Sequence, residues 1–281
     1  MTTTRPDAVI SATALRTLLD SGADVVLLDI RRDADRGLRH EYEAGHLPGA
    51  HYVEHSTQLA GVRTPESGKN PLPTDDQIQA AVTGWGIHPS STVVVYTRGA
   101  APPATRAWWV LTWAGVPDVR YLDGGLDAWT AAGGELTTDE PAPGGGTFQV
   151  RTGSLPTIDA DEAGALARSG LLLDARPREA YLGDAEQPGQ GHIPGAVSVP
   201  YSDNLDEDGL LRNDESLRAL YAGHGVDGIA PLGLYCGGGV GATTGILVLH
   251  RLGIPAALYP GSWTQWSADP TRPVATGTEP G

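Results

Sequence analysis

Among its 281 residues the chain has one cysteine, Cys236, and its surroundings are those of a reactive nucleophile. A short apolar run at 232–235 leads into it, and Gly237-Gly238-Gly239-Val240-Gly241 follows before a helix expected from about residue 242. Successive backbone N–H groups of such a glycine-rich turn can point inward as an anion cradle. The positive end of the following helix adds to that field. A thiolate is favoured over a thiol in such a place, and the thiolate is the attacking species. Most free cysteines are small buried hydrophobes. Here the order strand, cysteine, glycine turn, helix favours a reactive residue instead.

Three other loop chemistries can be weighed against this one. A phosphate-cleaving C-x5-R loop needs arginine six residues after the cysteine, where Ala242 stands. A P-loop needs Gly-Lys-Ser/Thr, and no lysine follows Lys69. Gly237-x-Gly239-x-x-Ala242 does fit a dinucleotide fingerprint between strand and helix. That motif expects an acidic residue closing the next strand, however, and Pro260 follows the strand expected at 256–259.

The elements that position this turn occur twice. Leu28-Asp29-Ile30-Arg31 returns as Leu173-Asp174-Ala175-Arg176, and Gly45-His46-Leu47-Pro48-Gly49-Ala50 as Gly191-His192-Ile193-Pro194-Gly195-Ala196. Val94-Val95-Tyr96 matches Gly233-Leu234-Tyr235, and Ala114-Gly115-Val116-Pro117 matches Leu252-Gly253-Ile254-Pro255. Leu122-Asp123-Gly124-Gly125 with Trp129 matches Tyr259-Pro260-Gly261-Ser262 with Trp266. The offsets are 145, 146, 139, 138 and 137 residues in unbroken order, so the repeat is the size of a domain. In each copy short apolar runs (25–28 and 93–96; 171–173 and 232–235) alternate with helical stretches. The helices are expected after a Ser11 cap with a stop at Gly22, after an Asp159 cap, and at 107–114 and 243–252. That alternation implies a parallel sheet covered on both faces, with ligands beyond the carboxyl ends of its strands. Asp29, Asp174, Thr97 and Cys236 fall at such ends. The Pro- and Gly-rich stretch 137–156 reads as an exposed linker. It separates an amino-terminal domain, 1–136, from a carboxyl-terminal one, 157–281.

A net charge of −15 argues against a nucleic-acid partner, which requires a concentrated basic surface. No apolar run is long enough to span a bilayer. Residues 1–8 are polar and contain Pro6, unlike a signal peptide. A single cysteine permits neither an internal disulfide nor a CxxC zinc site, so a reducing cytoplasm is the expected compartment.

Tyr42-x-x-x-His46-Leu47-Pro48-Gly49-Ala50-x-x-Val53 resembles the amino-terminal signature of the rhodanese family. Ala256-x-x-Tyr259-Pro260-Gly261-Ser262-Trp263-x-Gln265-Trp266 resembles its carboxyl-terminal signature, with Gln265 where glutamate is usual. The likeness is to the tandem-domain thiosulfate and 3-mercaptopyruvate sulfurtransferases. It implies an α/β fold of two rhodanese-like domains, each a mainly parallel central sheet with helices on both faces. It further implies a catalytic second domain and a first domain in which Thr97 replaces the cysteine. By the same resemblance Cys236 takes sulfur from a small anionic donor, and residues 237–241 hold the persulfide. The acceptor would be cyanide, a thiol or a reduced protein thiol, and no metal or organic cofactor is required.

These residues leave the choice of donor between thiosulfate and 3-mercaptopyruvate. Thiosulfate-specific loops resemble Cys-Arg-Lys-Gly, whereas the mercaptopyruvate type is neutral, as this one is. Family arginines are replaced by Ala180 and by Gly189 or a neighbour, leaving Arg178 as the nearest substitute cation. The Asp and His that assist mercaptopyruvate chemistry in some members align roughly with Ser56 and Asn70. Asp174 and Arg176 could support the loop or the substrate. Because Asp29 and Arg31 repeat them beside no cysteine, a structural role is the stronger expectation. His46 and His192, also repeated, are expected to fix turns, and Trp263 and Trp266 to be packed aromatics. A partner-fed sulfur carrier with little activity on small donors is the alternative function.

Overall fold

The computed structural model describes residues 7–33, 36–99, 101–184, 186–187 and 189–281. Up to Pro6, the stretch read as unlike a signal peptide lies outside them. The chain forms two compact units, one of Met1–Gly61, Pro73–Ser154 and Asp208–Leu210, the other of Val62–Leu72, Leu155–Glu207 and Leu211–Gly281.

In the first unit the order is β1 (Val9–Ile10), α1 (Ala12–Asp20), β2 (Val25–Asp29), β3 (Arg32–Asp33), β4 (Arg36–Gly37), α2 (Arg39–Ala44) and β5 (Ala50–Tyr52). It continues with α3 (His55–Gln58), α4 (Asp75–Gly84), β6 (Thr92–Tyr96), α5 (Pro102–Trp113), β7 (Val119–Leu122) and α6 (Gly125–Ala131). Ser11 caps α1, its hydroxyl accepting from the Ala14 N–H at 3.2 Å. The main sheet, β1-β7-β6-β2-β5, is parallel throughout. Its central strands read as continuous apolar runs because both faces are covered. Leu27, Val94 and Tyr96 pack with Leu15 of α1 and with Leu126 and Trp129 of α6. Helix α5 lies against β6 and β7. It begins five residues before the expected 107, because Pro102 and Pro103 occupy first-turn positions where a missing N–H costs nothing.

The second unit repeats the plan with α7 (Ala160–Ser169), β8 (Leu171–Asp174), α8 (Arg178–Leu182), β9 (Val197–Ser198), a 3-10 turn at Tyr201–Asn204 and α9 (Asp214–Gly223). Then come β10 (Leu232–Tyr235), α10 (Ala242–Arg251), β11 (Ala257–Leu258) and α11 (Ser262–Trp266). The parallel sheet is β11-β10-β8-β9. Asp159 caps α7 in a reciprocal box with Glu162. Leu172 and Tyr235 pack with α7 and Trp266, while α10 lies against β10 and β11.

Both units close alike. His46 bridges to Thr137, and His192 to Ala275, through paired backbone hydrogen bonds. Each histidine is fully buried and stacks on a tyrosine, Tyr42 or Tyr181, at 3.7 Å between ring centres. Among the described residues their ring nitrogens bond to backbone carbonyls, those of Tyr42 and Asp139 in one unit and of Tyr181 and Glu279 in the other.

Within the stretch expected as an exposed linker, residues 144–151 hydrogen-bond to the first unit. Gly144 and Gly146 donate to the Gly84 and Thr83 carbonyls, Phe148 to Ile87, and Arg151 to Ala114. Its glycines permit this approach, since a Cβ on Gly144 would lie 2.2 Å from the Gly86 nitrogen. Residues 62–72, by contrast, leave the copy in which they are encoded and count with the second unit. Among the described residues no helix is long and apolar enough to cross a membrane.

Candidate active site

Strand β10 delivers Cys236 to the carboxyl edge of the second sheet, in register beside β8 with Tyr235 opposite Asp174. The cysteine is 4% exposed. The Cys236 N–H donates to the Ser262 hydroxyl (3.2 Å), which donates on to the Tyr259 carbonyl (2.9 Å). The Cys236 and Gly237 carbonyls accept from the Trp263 and Thr264 N–H groups, each at 2.9 Å. One end of the turn is thereby tied to α11.

Beyond it the backbone turns through Gly239, whose φ of +74° suits glycine, into α10. Among the described residues the N–H groups of Gly237, Gly238, Val240 and Gly241 donate to no protein acceptor. Buried or half-buried donors left open in this way are what an incoming anion or a sulfur-bound oxyanion would satisfy. Tyr201 walls one side, since a Cβ on Gly241 would lie 3.2 Å from its ring and 3.7 Å from the Cys236 Cβ. A Cβ on Gly237 would meet nothing, so that part of the turn is open.

Asp174 and Arg176 form a buried pair, with Arg176 Nε 3.0 Å and Nη2 2.5 Å from the carboxylate. Arg176 also donates to the Gly191 carbonyl at 2.7 Å. Its guanidinium stacks over Trp263 at 4.4 Å and lies 5.7 Å from the centre of the Tyr235 ring. The Tyr235 hydroxyl accepts from the Ile193 N–H at 3.2 Å. Burial, then the neighbouring Asp174 carboxylate, pushes that phenol well above its ordinary value, so it stays neutral. The first unit repeats the arrangement with Asp29, Arg31, the Gly45 carbonyl, Tyr96 and the Leu47 N–H. The pair therefore packs against Tyr235, the residue before Cys236, and Trp263, whose N–H donates to the Cys236 carbonyl. Its two charges are paired with each other.

Arg178 opens α8 and is exposed, and among the described residues no hydrogen bond or ion pair engages it. Ala180 and Gly189 are exposed as well. Ser56 lies on α3 of the first unit, bonded to Glu54. Asn70 is at the turn: its side-chain amide donates to the Gly238 carbonyl at 2.7 Å and is buried. Trp266 is a core residue, and Trp263 is the half-buried partner of Arg176. Thr97 occupies the Cys236 position of the first unit, its carbonyl accepting from Leu126 as the Cys236 carbonyl accepts from Trp263. Among the described residues no three His, Cys, Asp or Glu side chains converge as metal ligands.

Ser262, Tyr201 and Thr264 meet the turn without any motif of theirs pointing to it. Only Ser262 left a usable signal, standing where the first copy has Gly125. Gly125 has φ +52°, and Ser262 has φ +53°, the one described non-glycine residue in the left-handed region. Strain of this kind persists where something else fixes the residue, here its hydroxyl under Cys236. Ser262→Ala is expected to lower stability by about 1–3 kcal/mol, because it strands the buried Cys236 N–H. Ser262→Gly loses the same hydroxyl but relieves the backbone, so it should melt between the alanine variant and the wild type. Thermal unfolding of the three proteins checks the order. An alanine variant as stable as wild type would contradict it.

A chain with a cysteine at a parallel strand's end, a glycine turn into a helix and a cysteine-less duplicate can be compared with known proteins. The Rhodanese-like domain matches twice, over residues 11–132 and 159–269. The chain belongs to the rhodanese family. A Mycobacterium tuberculosis protein provisionally named a thiosulfate sulfurtransferase is 41% identical over 283 residues, covering 98% of this chain and 99% of that one. The 3-mercaptopyruvate sulfurtransferase of Escherichia coli is 31% identical over 260 residues, 85% of this chain and 86% of that one. The crystal structure of an E. coli 3-mercaptopyruvate sulfurtransferase superposes with a TM-score of 0.81 at 28% identity, covering 91% of this chain and 98% of that chain. A cysteine-persulfide form of EanB with ergothioneine gives 0.82 at 25% identity, covering 96% and 71%.

Proposed function

We propose that the protein is a sulfurtransferase moving sulfane sulfur from thiosulfate or 3-mercaptopyruvate to a thiophilic acceptor through a persulfide on Cys236. The observation carrying this reading is the chain's only cysteine at the mouth of a turn whose N–H groups at 237, 238, 240 and 241 have no protein acceptor. The names of the relatives support it. In the first half-reaction the Cys236 thiolate attacks the donor's outer sulfur. An S–S bond forms, and the bond from that sulfur to the rest of the donor breaks. Sulfite leaves with the electron pair from thiosulfate; from mercaptopyruvate the enolate leaves and takes up a proton to give pyruvate. In the second half-reaction cyanide or a thiolate attacks the outer sulfur of the persulfide and returns Cys236 as thiolate. This is double-displacement nucleophilic catalysis. Open N–H groups around the turn suit the anionic persulfide between the two halves. A lone reactive thiol survives best in a reducing compartment, and we place the protein in the cytoplasm on that ground.

Steady-state transfer from each donor to cyanide, run in parallel, tests the reading. Turnover of either donor by the wild type is expected. Failure of both by folded protein would leave the partner-fed carrier, a reading favoured by the exposed Ala180, where the family resemblance implies an arginine.

A further inference from the structure

The hydrogen bonds of the Cys236 turn divide by sign. Among the described residues the N–H groups at 237, 238, 240 and 241 donate to no protein acceptor. The carbonyls of Cys236, Gly237, Gly238, Val240 and Gly241, by contrast, all accept from the protein. Those of Cys236 and Gly237 take the Trp263 and Thr264 N–H groups of α11, and those of Val240 and Gly241 take the Thr243 and Thr244 N–H groups of α10. The Gly238 carbonyl has no such backbone donor. It accepts instead from the side-chain amide of Asn70, at 2.7 Å.

Asn70 is 7% exposed and lies in the segment Val62–Leu72, which counts with the second unit. The residues before it are pinned. Gly68, at φ +78°, rests on Gly261, where a Cβ would come 2.5 Å from the carbonyl oxygen. The Lys69 N–H donates to the Thr264 hydroxyl at 3.0 Å, and the Gln265 amide donates to the Glu66 carbonyl at 2.7 Å. The same short helix, α11, thus fixes both the start of the turn and the segment that carries Asn70.

The peptide joining Gly238 to Gly239 can turn over at little local cost. Type I and type II turns differ chiefly by rotation of their central peptide, which reverses the sign of φ at the residue after it. Gly239 takes φ +74°, and a glycine accepts a negative φ about as readily. Rotation would carry the Gly238 carbonyl from Asn70 to the opposite side of the turn, setting its negative end among the open N–H groups. Aligned N–H dipoles hold an anion, and a carbonyl among them repels it.

We propose that Asn70 is a positioning residue of this site. Its amide keeps the Gly238 carbonyl turned outward, so that the turn presents N–H donors to the Cys236 thiolate and to the persulfide that follows. The assignment rests on the sulfurtransferase function proposed above. It places a determinant of the cysteine's reactivity in a segment encoded in the copy that has no cysteine. The role asks for no proton transfer and no contact with the sulfur donor.

The experiment is alkylation of Cys236 by iodoacetamide, a neutral reagent, across a range of pH. With one cysteine in the chain, the label reports on that residue alone. Asn70→Leu keeps a neutral side chain of similar size but removes the donor. It should lag the wild type by roughly 10-fold at about pH 6 and converge with it above the ordinary thiol range, because the lost interaction favours the thiolate. Asn70→Asp keeps the shape but, once ionised, donates nothing, and should lag at least as much. Gly239→Ala disfavours the positive φ and so perturbs the same peptide with Asn70 in place; it should lag in the same pH-dependent way. Combined with Asn70→Leu, its effect should fall well short of multiplying, since both changes release one peptide. Thermal unfolding selects the folded variants for comparison. Wild-type profiles in those variants, a lag equal at every pH, or fully multiplicative effects in the double variant would overturn the assignment of Asn70. The expected alkylation pattern without any Cys236-dependent turnover of sulfur donors would instead bring down the sulfurtransferase reading and leave Asn70 its positioning role.

Discussion

Cys236→Ser should bring sulfur transfer down to the uncatalysed background, a loss on the order of 10³-fold or more for a substituted nucleophile. The change is nearly isosteric, and Cys236 makes its described hydrogen bonds through the backbone, to Ser262 and Trp263. Stability should therefore stay within about 0.5 kcal/mol of wild type. A serine hydroxyl stays protonated near neutrality and cannot carry the transferred sulfur as a stable anion. Two measurements check this: initial rates with cyanide as acceptor, and intact-protein mass after exposure to donor alone. Wild type should gain the mass of one sulfur atom and the variant none. Turnover retained by the serine variant would place the chemistry elsewhere.

The second large effect concerns the duplicated ion pairs. Removing one partner of a buried pair leaves an uncompensated charge and costs about 3–5 kcal/mol. Arg176→Met and Arg31→Met should each pay that cost, because both guanidinia are almost wholly buried against their aspartates. At roughly 2–4 °C per kcal/mol for domains of this size, the unfolding transition of the affected unit should fall by about 10 °C. Activity should separate the two variants. Arg176 braces Tyr235 and Trp263, the residue before Cys236 and the one that holds its carbonyl, so its loss should lower kcat at temperatures where the protein remains folded. Arg31 stands at the equivalent place beside Thr97, and its loss should leave the transfer rate per folded molecule near wild type. Equal effects on kcat would mean that the pair serves stability alone in both units.

Much of the fold was legible because it rests on local rules. Apolar runs too short for helices gave β2, β6, β8 and β10 to within a residue, and Ser11 and Asp159 marked helix starts by cap chemistry. The glycine turn could be read because only glycine tolerates a φ like that of Gly239 and only a turn uses several together. The duplication added an internal control. Features found in both copies, such as His46 with His192 and Asp29 with Asp174, are buried and bonded alike in the two units. What escaped was non-local. Nothing in residues 62–72 announces that Gly68 will rest on Gly261, almost two hundred positions away, or that Asn70 will meet Gly238. Nor does composition distinguish a glycine-rich stretch that hangs free from one laid along a helix end, as Gly144 and Gly146 are.

The crossing of residues 62–72 also bears on how the two halves can be separated. A fragment beginning at Leu155 would carry the nucleophile, the glycine turn and the whole parallel sheet, yet not the amide of Asn70 that holds the Gly238 carbonyl. Splitting the gene at the apparent seam would thus yield one piece with the cysteine and another with its brace. The boundary of the repeat in sequence and the boundary of the folded unit are therefore not the same cut.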